Sequence, residues 1–423
     1  MQSLRKNEIK VLHSIFSLGQ STRQRIARRT RLSLVKVSSI LSLLEKGGFI
    51  LKASSANTRS GRPSHLFRLK PKLGCALGLA VGLDRFNVIA MDAGKDITFR
   101  RELPLSLSAD LSANAQAIID QLSQELLRVV KKDLKGSGPI LTLGVALPGL
   151  VDPRTGTWLL GLWLPGIANV SVAGLLAERL GIPVFVEDIA RSVAFYELHR
   201  GSGRRVRSFV LIYLGSGVGS GIVINRRIYR GLHGLAGEIG HIEHADNAYR
   251  CSCNNVGCLE TVISTVGMQR MFKDRLAQGV ISSLQADASA LDLERILLAA
   301  REGDRFTKST LREIGHFLGD ACAILIKMFN PERVIISGRG SMFRDFLKDS
   351  VEEVIHHGVI PEMLAGYRTV FAEYDPFQEA HGAALVAANH YFDRTLRGMV
   401  FPQGNVREAE ALGMRGEIFS EGQ

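Results

Sequence analysis

One histidine and three cysteines stand at the spacing His-x9-Cys-x-Cys-x4-Cys: His241, Cys251, Cys253 and Cys258. Three thiolates and one imidazole are the donor set that tetrahedral zinc takes in a closed, structural site. One structural Zn²⁺ per chain is therefore expected on the loop 241–258. The two other cysteines, Cys75 and Cys322, sit in apolar runs, where buried free thiols are common. Two acids flank the ligands, Glu238 and Glu260. A structural zinc needs no neighbouring carboxylates, whereas a polar ligand pocket built against a zinc-stiffened loop does.

A second kind of chemistry could come from two glycine-bearing segments, Leu77-Gly-Leu-Ala-Val-Gly-Leu-Asp84 and Leu214-Gly-Ser-Gly-Val-Gly-Ser-Gly221. Glycine lets backbone N–H groups approach a phosphate closely, although a tight turn asks for the same residue. Both segments join runs that read as hairpins. Residues 75–105 predict three antiparallel strands, followed by an amphipathic helix over about 111–134. Strands are expected over 141–147 and 183–186, and a helix over 189–198. The hairpin pattern returns at 209–224. Helices over about 308–329 and 342–356 flank a strand at 333–337, and a last strand at 369–373 precedes a helix around Gly382. The body therefore reads as a duplicated α/β lobe, the architecture of actin-like and sugar-kinase ATPases.

Charge separates the first residues from the rest. Residues 1–72 hold 16 Lys/Arg against Glu8 and Glu45, a net of +14, while the whole chain carries +12, which leaves residues 73–423 at −2. A basic head on a near-neutral body points to a nucleic-acid-binding module. Ile9, Leu12, Ile15 and Phe16 predict a first helix over 6–18. Ser21 or Thr22 caps a second, and Ser33 caps a third carrying Val37, Ile40, Leu41 and Leu44. Arg31 falls where the intervening turn commonly has glycine. Two short strands around the polar loop 58–63 complete a winged helix-turn-helix pattern. Its third helix would enter the major groove with Val35, Lys36, Ser38, Ser39 and Ser42. Arg59 and Arg62 on the wing suit a narrow minor groove.

Length and composition bound the remainder. A chain of 423 residues with 46% apolar content has room for two or three domains. No run reaches the roughly 18 apolar residues of a membrane span, and the N-terminus lacks a signal-peptide apolar core. Five cysteines, three of them in the metal pattern, fit the reducing cytoplasm. Three units are expected: a DNA-binding head over 1–72, a body over 73–395, and a polar, mobile tail over 396–423.

The matching pieces run in order along residues 1–395. Ala146-Leu-Pro-Gly-Leu-Val-Asp152, Leu164-Pro165 through Asn169-Val170, Gly231 through His241, and Cys251 through Glu260 resemble the successive signatures of the ROK family. That family holds bacterial sugar kinases and sugar-responsive transcriptional repressors. The resemblance implies an α/β fold: an N-terminal winged helix-turn-helix, typical of the repressors, before a two-lobed, actin-like (ribonuclease H-like) body. It implies that Glu238, His241 and Glu260 contact sugar hydroxyls, with Asn169, Glu187 and Asp188 closing the site. His241 would give one ring nitrogen to zinc and the other to a hydroxyl. Asn254 stands where the family has glycine, and asparagine tolerates positive φ.

The resemblance also implies where catalysis would be lost. Kinase members begin their phosphate cradle Asp-x-Gly-Gly-Thr; here the residues read Ala80-Val-Gly-Leu-Asp84. The metal-associated acid is absent, and a carboxylate stands where a hydroxyl would meet phosphate. The kinase sequence Glu-Asn-Asp-Ala-Asn reads Glu187-Asp-Ile-Ala-Arg191, which puts Ile189 at the catalytic acid unless Asp188 serves. The expected protein is a repressor that senses a sugar or sugar phosphate and binds a palindromic operator as a homodimer or tetramer. Two alternatives stand beside it: a sugar kinase with a DNA-binding head, and a repressor captured by a partner protein.

Overall fold

The computed structural model describes residues 4–53, 65–107, 110, 113–244, 246–285 and 291–396. Wing residues Arg59 and Arg62, and the tail beyond 396, lie outside the described residues. The first helix, α1 (Lys6–Leu18), turns Val11, Leu12, Ile15 and Phe16 inward. β1 (Ser21–Thr22) leads into α2 (Arg23–Thr30), where the Thr22 hydroxyl accepts from the Arg25 N–H at 3.4 Å. Arg31 takes the left-handed turn at φ 56°. Ser33 accepts from the Lys36 N–H at 3.2 Å and starts α3 (Leu34–Lys46), whose Val37, Ile40, Leu41 and Leu44 close this small core. β2 (Ile50–Ala53) and β3 (Leu66–Leu69) pair antiparallel, and β1 adds to β3. The two-residue β1 is too short to leave a periodic signal in sequence.

The body opens with the antiparallel strands β4 (Cys75–Val81), β5 (Arg85–Asp92) and β6 (Ile97–Pro104). Helix α4 (Asn114–Lys132) crosses back to β7 (Ile140–Leu147). A side sheet of β8 (Leu150–Asp152), β9 (Thr157–Leu160) and β10 (Ala168–Val170) follows. α5 (Val172–Leu180), β11 (Val184–Asp188) and α6 (Ile189–His199) complete the lobe. The second lobe repeats the plan with β12 (Phe209–Leu214), β13 (Val218–Ile224) and β14 (Arg227–Tyr229). Between them and β15 (Arg333–Ser337) come α7 (Glu260–Ile263), α8 (Thr265–Ala277), α9 (Leu293–Glu302) and α10 (Arg305–Phe329). α11 (Arg344–Gly358), β16 (Arg368–Phe371) and α12 (Gln378–Leu396) end it. The sheet orders are β11-β7-β4-β5-β6 and β14-β13-β12-β15-β16. Read from the third strand, both run third, second, first, fourth, fifth, so the lobes share one topology. The side sheet, β14, α5 and α7–α9 are additions to the elements expected from periodicity.

The last helix of each lobe packs on the other lobe. α6 covers β12 and β13, while α12 lies across β4, β7 and β11. That approach needs glycine in the sheet: a Cβ at Gly78 or Gly144 would stand 1.9 Å or 2.0 Å from the Ala380 or Ala383 carbonyl oxygen. The far end of α12 meets α1. His13 stacks on Phe392 with centroids 5.6 Å apart, Phe16 meets Phe392 at 5.0 Å, and His13 Nε2 lies 3.2 Å from Asn389 Oδ1.

Candidate functional site

The turn at Ile239–His241 and the loop before α7 bring His241, Cys251, Cys253 and Cys258 together, with all four ligand atoms within 4.8 Å of one another. Cys251 Sγ lies 3.6 Å from His241 Nδ1, and Cys253 Sγ 3.6 Å from Cys258 Sγ. Metal–ligand bonds of about 2.0–2.3 Å in a tetrahedron place ligand atoms about 3.5–3.8 Å apart, so the cluster fits a zinc-sized ion. None of the five cysteines is in a disulfide. Nδ1 is the nitrogen turned to the sulfur, which leaves Nε2 for another partner. The loop is anchored by buried Asn247, which sequence reading missed. Its amide donates to the Cys258 carbonyl and the Thr261 hydroxyl, both at 2.8 Å. Asn254 takes φ 74°, the left-handed position expected of it.

The same turn carries Glu238 into the cleft between the lobes. Gly237, at φ 105°, lies so close to β13 that a Cβ would stand 2.3 Å from the Ser220 carbonyl oxygen. Ser220 holds the Gly237 carbonyl with its N–H at 2.9 Å and its hydroxyl at 2.8 Å. The Glu238 side chain is exposed to solvent while its carboxylate lies near Asp188, Arg191 and Glu260. Desolvation and the charges of Asp188 and Glu260 push it up to about 7, against the pull of Arg191. Buried Glu260 accepts from the Val218 N–H at 2.9 Å, and burial raises it too. Beside it lies Trp163, which sequence reading also missed. The buried Trp163 indole N–H faces the Glu260 carboxylate and, as a donor to it, pulls its pKa down against the effect of burial. Two carboxylates, an imidazole and an indole donor beside Glu260 form a group able to exchange hydrogen bonds with hydroxyls.

Glu187 and Asp188 sit at the end of β11, but their carboxylates are already engaged. Arg191 Nε donates to Glu187 Oε1 at 2.7 Å, and Arg230 donates to Glu187 Oε2 from Nη2 at 2.6 Å and Nε at 3.0 Å. Burial opposes ionisation of Glu187, yet Arg230 and Arg191 outweigh it and hold it below the usual carboxylate range. Asp188 caps α6, accepting from the Arg191 N–H at 2.9 Å, and pairs with the Arg191 guanidinium. Burial, aided by the Glu187 charge, still leaves its pKa raised. Arg191, 2% exposed, is thus the neutralising centre of this end of the cleft. Asn169 is exposed on β10 at φ 52°, and no hydrogen bond ties it to the carboxylates among the described residues.

The two glycine hairpins differ. At the β12–β13 turn Gly215 N–H donates to the Gly217 carbonyl at 3.0 Å, beneath Glu260. At the β4–β5 turn Arg85 closes on Asp84 from Nε at 3.0 Å and Nη2 at 2.9 Å, and on Glu102 at 3.0 Å. On the head, Val35, Lys36, Ser39 and Ser42 are exposed along α3. Ser38 is half-buried, donating to the Leu34 carbonyl at 2.8 Å and accepting from Arg23 at 3.1 Å.

This combination of a duplicated actin-like body with a Cys/His loop defines a class. Residues 76–390 match the model of the ROK family, and the chain belongs to that family. It is 27% identical over 356 residues to the xylose repressor of Caldicellulosiruptor bescii, covering 83% of this chain and 87% of that protein. It is 26% identical over 382 residues to the DNA-binding transcriptional dual regulator NagC of Escherichia coli, covering 90% and 92%. Among solved structures, it is similar to a ROK family transcriptional regulator described as a homolog of the E. coli MLC protein. That match has a TM-score of 0.77 at 24% identity over 93% of this chain and 99% of that one. A ROK family glucokinase from Streptomyces griseus, in complex with glucose and AMPPNP, matches with a TM-score of 0.65 at 24% identity over 74% and 99%. Both share the two-lobed fold.

Proposed function

We propose that this chain is a sugar-responsive DNA-binding transcriptional regulator, acting as a repressor of carbohydrate uptake or catabolic genes. The observation that carries it is the union, in one chain, of a +14 head exposing Val35, Lys36, Ser39 and Ser42 on α3 with a cleft of hydroxyl-matching groups. The names of the repressor relatives, matched over more than four-fifths of this chain, support it. In this reading residues 1–72 form a winged helix-turn-helix. α3 enters the major groove, with Ser38 braced against Arg23, and Arg59 and Arg62 reach the minor groove. A homodimer or tetramer would present two such heads to a palindromic operator.

Glu238, Glu260, His241 and Trp163 would hold the sugar or sugar phosphate, with Asn169 arriving on lobe closure. Glu187 and Asp188 act through Arg191, positioning the cleft. His241, Cys251, Cys253 and Cys258 would hold a structural zinc, which fixes His241 and joins Glu238 to Glu260 across one loop. The body does not phosphorylate: Asp188 is consumed by Arg191 and by capping α6, and Asp84 is locked to Arg85 where a phosphate cradle would open. Among the described residues no helix is long and apolar enough to cross a membrane, in keeping with action in the cytoplasm.

The test is selection of bound fragments from a genomic library at about 0.15 M salt, where non-specific phosphate binding is weakened, with and without a mixed sugar pool. Enrichment of a palindrome that the pool changes supports the regulator. Release of ADP with a hexose panel, and no enriched sequence, would replace it with a kinase.

A further inference from the structure

Beneath the head lies a second cavity of about 880 Å³, lined by none of the cleft residues described above. Arg25 and Arg29 of α2 form one wall. Lys95 of the β5–β6 turn, Arg200 and Arg204 after α6, and Arg226 and Arg227 at the β13–β14 turn form the others. Among the described residues no carboxylate lines it. The clustering does not follow from composition, since the five body cations come from a part of the chain whose net charge is −2.

Several arginines elsewhere pair with acids, as in Arg85–Asp84, Arg101–Asp133 and Arg154–Asp152. Two in this cavity hold backbone carbonyls instead. Arg200 donates to the Lys95 carbonyl at 2.9 Å, and Arg226 donates to the Arg204, Val206 and Leu198 carbonyls at 2.9, 3.0 and 3.2 Å. Among the described residues neither guanidinium makes an ion pair with a carboxylate. Lys95 is the sharpest case. It is 6% exposed, its ammonium lies 4.3 Å over the Phe16 ring, and among the described residues it makes no ion pair with a carboxylate. Burial, then Arg200 and Arg29, pull its pKa down to about 7. The Asp393 charge reaches Arg29, but that carboxylate lies 3.5 Å from His13 and outside the cavity lining. A buried cation among cations is costly unless an anion completes the site.

We infer that this cavity binds a small polyphosphorylated anion, a di- or triphosphate group that bridges α2 of the head to the body. Seven cations exceed what one phosphate can engage, and the volume falls within the range of about 300–1,000 Å³ usual for small-molecule sites. Guanidinium forks meet phosphate oxygens in pairs, and Lys95 supplies a point charge at the floor. The anion would fix the head against the body, so occupancy and DNA affinity must be linked. The inference does not rest on α3 as a DNA reader, because binding is measured without DNA.

The test is isothermal titration of the full chain at 0.15 M NaCl with inorganic tripolyphosphate and, separately, with ATP. Both are repeated on Lys95→Met, on the exposed double variant Arg204→Ser/Arg227→Ser, and on Arg128→Ser of α4 as a control. One tripolyphosphate per chain is expected, weakened at least about tenfold in the first two variants and unchanged in the third. Equal affinities for the two probes assign recognition to phosphate alone; tighter ATP that the double variant also loses assigns a nucleotide. If Lys95→Met fails to fold, the double variant decides, because its two positions are exposed. Absence of tripolyphosphate binding at 1 mM (about 1,000 µM, the weak end of useful affinity), or binding that the double variant leaves intact, overturns the inference. Binding of random duplex DNA that the double variant loses, with no tripolyphosphate bound, would make the cavity a DNA-backbone contact instead.

Discussion

Replacing Arg191 by methionine preserves most of the side-chain volume and removes one buried charge. Arg191 is 2% exposed and serves both Glu187 and Asp188. Glu187 keeps its two bonds from Arg230, at 2.6 Å and 3.0 Å, so it remains compensated. Asp188 keeps only backbone N–H groups, that of the substituted residue, 2.9 Å away in the native chain, and that of Ala190. Stranding one buried charge costs about 3–5 kcal/mol, and with Glu187 still paired the lower part of that range, about 3–4 kcal/mol at pH 8, is expected. The loss depends on pH with a defined sign. Asp188 already has a raised pKa from burial and from the Glu187 charge, and losing Arg191 raises it further. A folded pKa above the unfolded value destabilises once pH exceeds the unfolded pKa, so protonation relieves the defect as pH falls. Urea unfolding followed by Trp158 and Trp163, both in the first lobe, should show a smaller defect at pH 5 than at pH 8. The added substitution Asp188→Asn should restore stability to within about 1 kcal/mol of the parent, because it removes the stranded charge. A defect under about 1 kcal/mol at pH 8, or one equal at both pH values, refutes the assignment of Arg191 as the neutraliser.

Elemental analysis should find one zinc per chain in the native protein and none in Cys253→Ser, whose midpoint should fall by at least about 5 °C; equal zinc content in the two would remove the metal site. Glu379, bonded to Tyr213, is held at about 7 by burial. Its proton binds more tightly in the folded chain, so stability should decline from about pH 4.5 to 7 by up to about 3 kcal/mol and then level off. Glu379→Gln should flatten that slope in thermal melts. Trp163→Ala should weaken sugar binding about tenfold by losing an indole donor and a stacking face, read by titration with the sugar identified in the genomic selection. Phe392→Ala should leave sugar affinity intact but reduce the sugar-dependent change in DNA affinity, since it removes the ring that His13 and Phe16 pack against.

The elements with strong periodicity were readable. The spacing of apolar residues located α1 and α3, and the buried runs located β7 and β15, because these segments bury one regular face. The gathering of His241, Cys251, Cys253 and Cys258 into one cluster was readable because their residue types and spacing leave few other uses. Short strands such as β8–β10 were not, since three or four residues carry no period. In the cleft, Glu238, Glu260 and His241 come together, whereas Glu187 and Asp188, expected to close the site, have their carboxylates occupied. The cause is Arg191 with Arg230, the latter 43 positions from Glu187 in sequence and adjacent only after β14 folds. Trp163 escaped notice for a similar reason: its neighbour Glu260 comes from the other lobe.

α12 supplies the physical link between these parts. Its first turn is tied to the second lobe, where Ser337 donates to Gln378 at 3.2 Å and Tyr213 to Glu379. Its middle lies on Gly78 and Gly144 so closely that it cannot slide over the first sheet without backbone collision. Its end holds α1 through Asn389 and Phe392. The head is therefore fastened to the first lobe by α12. It faces the second lobe through α2, across the cationic cavity, where Arg226 and Arg227 sit on the β13–β14 turn. A rotation of the lobes about the foot of α12 would move that turn relative to α2 while leaving the α1–α12 contact in place. Under the proposed function, sugar-driven closure would thus be read as a change in the width of the cavity. An anion bound there would act on the same coordinate as the sugar, from the opposite side of the body.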